Sequence, residues 1–174
     1  MRSARVVLAA LSIAWTALAF APIAWAEEDI AVAPYGVGDT IDGFTLENQH
    51  GEAAAVDAST RVVLFSRDMD GGDLLKAALA EVPQSKLDAR GAVYVSDISG
   101  MPSLVARLFA VPAMRRRPYA MLLDREGATT ARLPDEAGRA TLVHLSDLRV
   151  ERIVYASDAE AVRAGLGLDA DADR

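Results

Sequence analysis

The chain has 174 residues, 25 acidic against 18 basic side chains, a formal net charge of −7 and no cysteine. That length makes room for one domain, and an apolar fraction of 52% is enough to build its core. The acid excess argues against nucleic-acid binding, and the missing cysteine excludes thiol catalysis, disulfide exchange and zinc–thiolate sites.

Residues 1–26 read as a secretory signal peptide. Arg2 and Arg5 precede the apolar run Val6–Phe20, and Ala24-Trp25-Ala26 makes a small-x-small cleavage site. Cleavage after Ala26 sends the mature chain to the periplasm or outside the cell. Losing Arg2 and Arg5 leaves 16 basic residues against 25 acidic, a net charge of about −9. The competing reading is an uncleaved anchor, since the apolar stretch is long enough to span a bilayer. Pro22 and the Ala-x-Ala site favour cleavage. No cysteine follows to carry a lipid, so no stable membrane anchor is expected afterwards.

Residues 27–37 form a polar, proline-containing arm, expected to be loose. Phe44-Thr45-Leu46 and Ala53–Val56 pair as a hairpin across Glu47–Gly51. Val62-Val63-Leu64-Phe65 is an unbroken β-branched and aromatic run, the pattern of a strand buried on both faces. Asp68-Met69-Asp70-Gly71-Gly72-Asp73 ends it, and Asp73 or Asp70 is expected to cap the next helix. Leu74, Leu75, Ala78, Leu79 and Val82 share one face of that helix. Ala92–Val95 is a second buried strand, ending in Ser96-Asp97. Pro102 opens a second helix with Leu104, Val105, Leu108 and Phe109 as its buried face; Pro112 and Arg115-Arg116-Arg117-Pro118 break it. Tyr119–Leu123 is a third strand, Ala128–Leu133 a short helix, and Thr141–Leu145 and Leu148–Tyr155 a closing hairpin turned at Ser146-Asp147. Ser157–Glu160 spells a capping box for the last helix, which Gly165 and Gly167 end. Asp169–Arg174 is a polar, disordered tail. Helical crossovers imply parallel strands, and the closing hairpin an antiparallel edge.

This order resembles the thioredoxin-like superfamily, in its peroxiredoxin and periplasmic disulfide-reductase-like branch, over about Gly38–Leu166. The likeness rests on Gly38-Asp39 followed by Phe44-x-Leu46-x-Asn48-x-x-Gly51, on the strand Arg61–Ser66, on Asp124-Arg125-Glu126-Gly127 and on the closing hairpin and helix. The chain also resembles small exported cysteine-less proteins of the YtfJ type. The resemblance implies an α/β three-layer domain over 38–168, a mixed sheet of about five strands flanked by helices, with an N-terminal β-hairpin. The family's active cysteines would fall at Asp70, Gly71, Gly72, Asp73 and Leu74. Its facing cis-proline would fall within Ala137-Gly138-Arg139-Ala140. Both halves of a redox site are therefore missing, and without sulfur no mixed disulfide forms.

Asp68-Met69-Asp70-Gly71 supports a rival reading. It resembles motif I of haloacid-dehalogenase-type phosphatases, with Asp68 as nucleophile, Asp70 as acid–base and Mg²⁺ between them and phosphate. Ser66-Arg67 intervene after the strand, and the late paired acids are not evident. Asp68, Asp70 and Asp73 are also candidate Ca²⁺ ligands, against a solvated turn and helix cap. His50 falls in a turn and His144 in a strand, too far apart in sequence to indicate a metal site. No G-x-S-x-G, G-x-G-x-x-G or phosphate-binding loop is present. Arg115, Arg116 and Arg117 form the one basic cluster, a candidate interaction patch. The expectation is an exported, redox-inactive thioredoxin-fold protein without cofactor or enzyme activity. It would bind a protein partner or serve as an accessory in the envelope.

Overall fold

A computed structural model describes residues 33–168. The expected signal peptide, its cleavage site and the 169–174 tail lie outside the described residues. The strands are β1 (Phe44–Glu47), β2 (Ala53–Val56), β3 (Val62–Ser66), β4 (Ala92–Asp97), β5 (Leu122–Asp124), β6 (Ala140–Ser146) and β7 (Arg149–Ala156). The helices are α1 (Met69–Ala78), α2 (Gln84–Asp88), α3 (Ser103–Val105), α4 (Val111–Met114) and α5 (Ala159–Gly165), with a π-helical turn, Ala106–Ala110, between α3 and α4.

Five strands form one sheet in the order β5-β4-β3-β6-β7, and β1-β2 form a separate antiparallel pair. β3 and β4, like β4 and β5, run parallel; β6 runs antiparallel to both β3 and β7. The α/β reading with an N-terminal hairpin therefore holds. β3 is buried at every residue because both sheet faces are covered. Val62 and Leu64 face one core, with Leu75, Leu79, Leu142 and Val162. Val63 and Phe65 face the other, with Ile41, Val56, Leu122 and Val143. Alternate residues of a strand point to opposite faces, so one strand feeds both layers.

The lead-in is more ordered than a loose arm at Tyr35, which is buried, donates its N–H to the Arg132 carbonyl at 2.8 Å and lies 4.0 Å beneath the Arg132 guanidinium. Residues 38–41 run along the outer edge of β7. Gly38 N–H bonds the Val150 carbonyl, Val150 N–H the Asp39 carbonyl and Ile41 N–H the Leu148 carbonyl, at 2.8–2.9 Å.

Several local expectations give way. The helix after β3 is capped by Asp68, ahead of Asp70 and Asp73, so it starts before Gly71-Gly72. The second helix does not break at Pro112. A proline N donates no hydrogen bond and its ring crowds the carbonyl four residues back; the π turn widens the helix there, with Val111 N–H bonding the Ala106 carbonyl, and the segment runs on to Met114. Within residues 119–123 only Leu122 and Leu123 join the sheet, and Ala128–Leu133 is a chain of turns. The closing hairpin turns at Asp147 and Leu148, both with positive φ. The last helix is capped by Asp158, whose Oδ1 accepts from Ala161 N–H at 2.8 Å, so Ser157 stands one residue outside the cap.

Candidate functional site

The carboxyl ends of β3 and β4, the start of α1 and the loop before β6 meet at one end of the sheet. Asp68 joins two of these pieces. Its Oδ1 accepts from Gly71 N–H at 2.7 Å, and its Oδ2 accepts from Gly138 N–H at 2.7 Å. Gly71 is buried so close to the Arg139 carbonyl that a methyl group there would collide with it. The stretches 70–74 and 137–140, paired by the resemblance, thus lie side by side. The described residues contain no cis peptide bond.

This geometry removes the support for the phosphatase and metal readings. Both Asp68 oxygens are held by backbone donors, Asp70 is exposed in the first turn of α1, and Asp73 faces Lys76 at 3.2 Å. The three carboxylates do not converge, and no group of three or more potential ligands is placed to hold a metal among the described residues. A carboxylate seated on the start of α1 also occupies the position that helix geometry offers to an anion.

Below this loop Ser66, Tyr94 and Ser96 form a buried hydroxyl cluster, Ser66 Oγ lying 3.3 Å from both the Tyr94 hydroxyl and Ser96 Oγ. Burial pushes the Tyr94 phenol well above its ordinary value, against the opposing hydrogen bond from Ser66. A nucleophile needs a base within hydrogen-bond reach. His50 is exposed in the β1–β2 turn, and His144 Nε2 lies 2.9 Å from Arg152 on the neighbouring strand. The cluster is a packed polar layer with neighbours of its own.

Sequence reasoning missed the polar hub beside it. Arg67 donates to Asp97 at 2.8 Å, to Asp135 at 2.9 Å and to the carbonyls of Thr130 and Leu133. Asp124 is buried, yet its carboxyl is held below its ordinary value. Burial alone would raise it, but the N–H groups of Thr130, Gly127 and Glu126 and the Thr130 hydroxyl together outweigh that cost. The Asp-x-x-Gly spacing signals the Asp124 turn; nothing in the sequence signals Arg67, because its partners come from three other segments.

The other distinctive surface is the helical segment 103–114. Leu104, Val105, Leu108 and Phe109, expected to be buried, are instead 67, 43, 54 and 69% exposed. Ala106 and Val111 are the residues it buries. The stripe was correctly seen as apolar, but amphipathicity alone does not say which face meets the core. Arg115 and Arg116 follow at the exposed end of this segment and Arg117 is half-buried. Arg115 Nε donates to the Gln49 carbonyl at 2.8 Å, which ties the arginine cluster to the β1–β2 turn. Gln49 is itself buried, bonding the Tyr119 carbonyl and Met121 N–H at 2.8 Å each.

No family model matches the chain, and no curated protein matches it. Among solved structures it is similar to the peroxidoxin BcpB of Mycobacterium tuberculosis, at 20% identity and TM-score 0.50, over 79% of this chain and 97% of that one. It is similar to a protein provisionally assigned as the thiol:disulfide interchange protein DsbE of Chlorobium tepidum, at 14% identity and TM-score 0.52, over 78% and 97%. A peroxiredoxin-like protein of Aquifex aeolicus aligns at 10% identity and TM-score 0.50, over 79% and 90%. The fold is thioredoxin-like. At such identities the likeness establishes the fold and no activity. Without a cysteine the chain has no thiol with which to form a mixed disulfide.

Proposed function

We propose that this is an exported, redox-inactive thioredoxin-fold protein that acts as a binding module, an accessory in the cell envelope, with residues 103–117 as its working surface. The degenerate redox loop is a structural joint in this reading: Asp68 and Gly71 fasten α1 to the loop before β6 and leave no reactive group. The observation that carries the proposal is the outward apolar face of Leu104, Val105, Leu108 and Phe109. Single exposed apolar residues need no explanation, but four on one face of one helix mark a docking surface.

Two measurements test it. The purified protein is expected neither to reduce insulin disulfides nor to consume peroxide. Insulin reduction or peroxide turnover by a preparation free of thioredoxin would overturn the redox-inactive half. A photo-crosslinking residue replacing Phe109 in the producing cell should form adducts, of protein or lipid, that the same residue at Glu151 does not. An adduct-free Phe109 position would overturn the binding half.

A further inference from the structure

Resting on that reading, we infer that the occupant of the 103–117 surface is an anionic membrane surface, on which the helical segment lies flat with its apolar stripe among the headgroups. The first support is charge. Residues 98–123 hold Arg107, Arg115, Arg116 and Arg117 and no acidic residue, on a chain whose other basic residues are outnumbered by its 25 acids. Among the described residues no carboxylate pairs with any of these four arginines. Arg107 and Arg116 are exposed, and Arg115 keeps its charge at the surface while its Nε holds the Gln49 carbonyl.

The second support is shape. Leu104, Val105, Leu108 and Phe109 form an outward apolar ridge along the helical segment, with buried Ala106 and Val111 on the side that meets the domain. Apolar residues on one side with flanking cations are the interfacial-helix pattern, and each arginine near an anionic leaflet adds to the attraction. The acid excess elsewhere does not cancel this. At physiological ionic strength charges more than about 8 Å from the lipid are largely screened, so the local arginines decide.

The test uses the chain from Glu27 onward, which carries the whole compact unit beginning at Val32. Both tryptophans, Trp15 and Trp25, precede that start, so Phe109→Trp places a sole reporter on the ridge and Tyr155→Trp a control on β7. Thermal melts matching the parent establish that both variants fold. With vesicles of phosphatidylcholine and phosphatidylglycerol, emission from Phe109→Trp is expected to shift to the blue and to be quenched by brominated lipid, while Tyr155→Trp does neither. Arg116→Gln with Arg117→Gln should lower vesicle affinity by about fivefold per charge removed, and 0.5 M salt should weaken binding of the unaltered surface with no substitution. An equal shift on phosphatidylcholine alone would overturn the anionic-surface assignment. No shift on any vesicle, together with protein adducts at Phe109 in the cell, would overturn the lipid occupant and leave the binding module standing. A dimer in light scattering that Phe109→Ser dissociates would put a second copy of the chain on the ridge instead. Neither shift nor adduct would sink both readings.

Discussion

Asp68 shows how one side chain can fasten two segments of backbone. Its two oxygens hold Gly71 N–H and Gly138 N–H. An N-cap is worth about 1 kcal/mol and an added hydrogen bond about as much again. Asp68→Ala is therefore expected to destabilise by about 1–2 kcal/mol in urea denaturation. Asp73→Ala breaks only an exposed pair with Lys76 and should cost under about 0.5 kcal/mol. Equal effects would mean that Asp68 does not cap α1. The sequence points to the opposite ranking, because Asp73 sits just before the apolar helical pattern while Asp68 stands ahead of Gly71-Gly72. Two glycines inside a first turn hide where a helix begins.

At the scale of elements, α1 meets the loop before β6 through Gly71 and not through Gly72. Alanine favours a helix over glycine by about 1 kcal/mol. At Gly72 a methyl group would meet only Ser66 Oγ, at an ordinary 3.7 Å, so Gly72→Ala should stabilise by about 0.5–1 kcal/mol. At Gly71 the same methyl strikes the Arg139 carbonyl. Backbone cannot swing aside as a side chain does, and overpacking costs about 1–3 kcal/mol, so Gly71→Ala should lower the melting temperature. The pair of melts checks the contact, since both substitutions carry the same helix propensity. The strands were legible because β3 and β4 are short, apolar and β-branched. The 103–114 segment was half legible: its apolar stripe stands in the sequence, but not its direction, because only the fold shows that Ala106 and Val111 are the residues turned to the core. The hub at Arg67 was illegible, because Asp97, Thr130 and Asp135 lie 30, 63 and 68 residues away.

Across the whole molecule, the parallel and antiparallel strand directions followed from crossover and hairpin rules, and the two-sided core from the unbroken apolar run of β3, while the order β5-β4-β3-β6-β7 came only with the structure. Acid sensitivity follows from single groups within that frame. Burial, and then the Arg152 guanidinium, hold the His144 imidazole below its ordinary value, with Glu151 opposing them. The unfolded chain therefore takes up a proton at His144 before the folded one does. The stability this contributes is complete above about pH 6.5, the unfolded value, and is lost as pH falls through the lower folded value. Denaturation midpoints measured from pH 7.5 to 5 should fall for the parent and fall less for His144→Gln. Parallel curves would remove His144 as the cause. Asp124, also held low, acts in a separate window that opens only below the ordinary carboxylate range.

The short run of chain beside β7 has a consequence for solubility. A bare outer strand offers a row of unpaired N–H and carbonyl groups on which a second molecule can add its own strand. Residues 38–41 already occupy that row at Leu148 and Val150, and Arg149, Glu151 and Arg152 put charge along the same strand. The lead-in to the hairpin is thus a guard against edge-to-edge aggregation, and a chain shortened past Ile41 would expose a sticky strand as well as losing Tyr35 and Ile41 from the core.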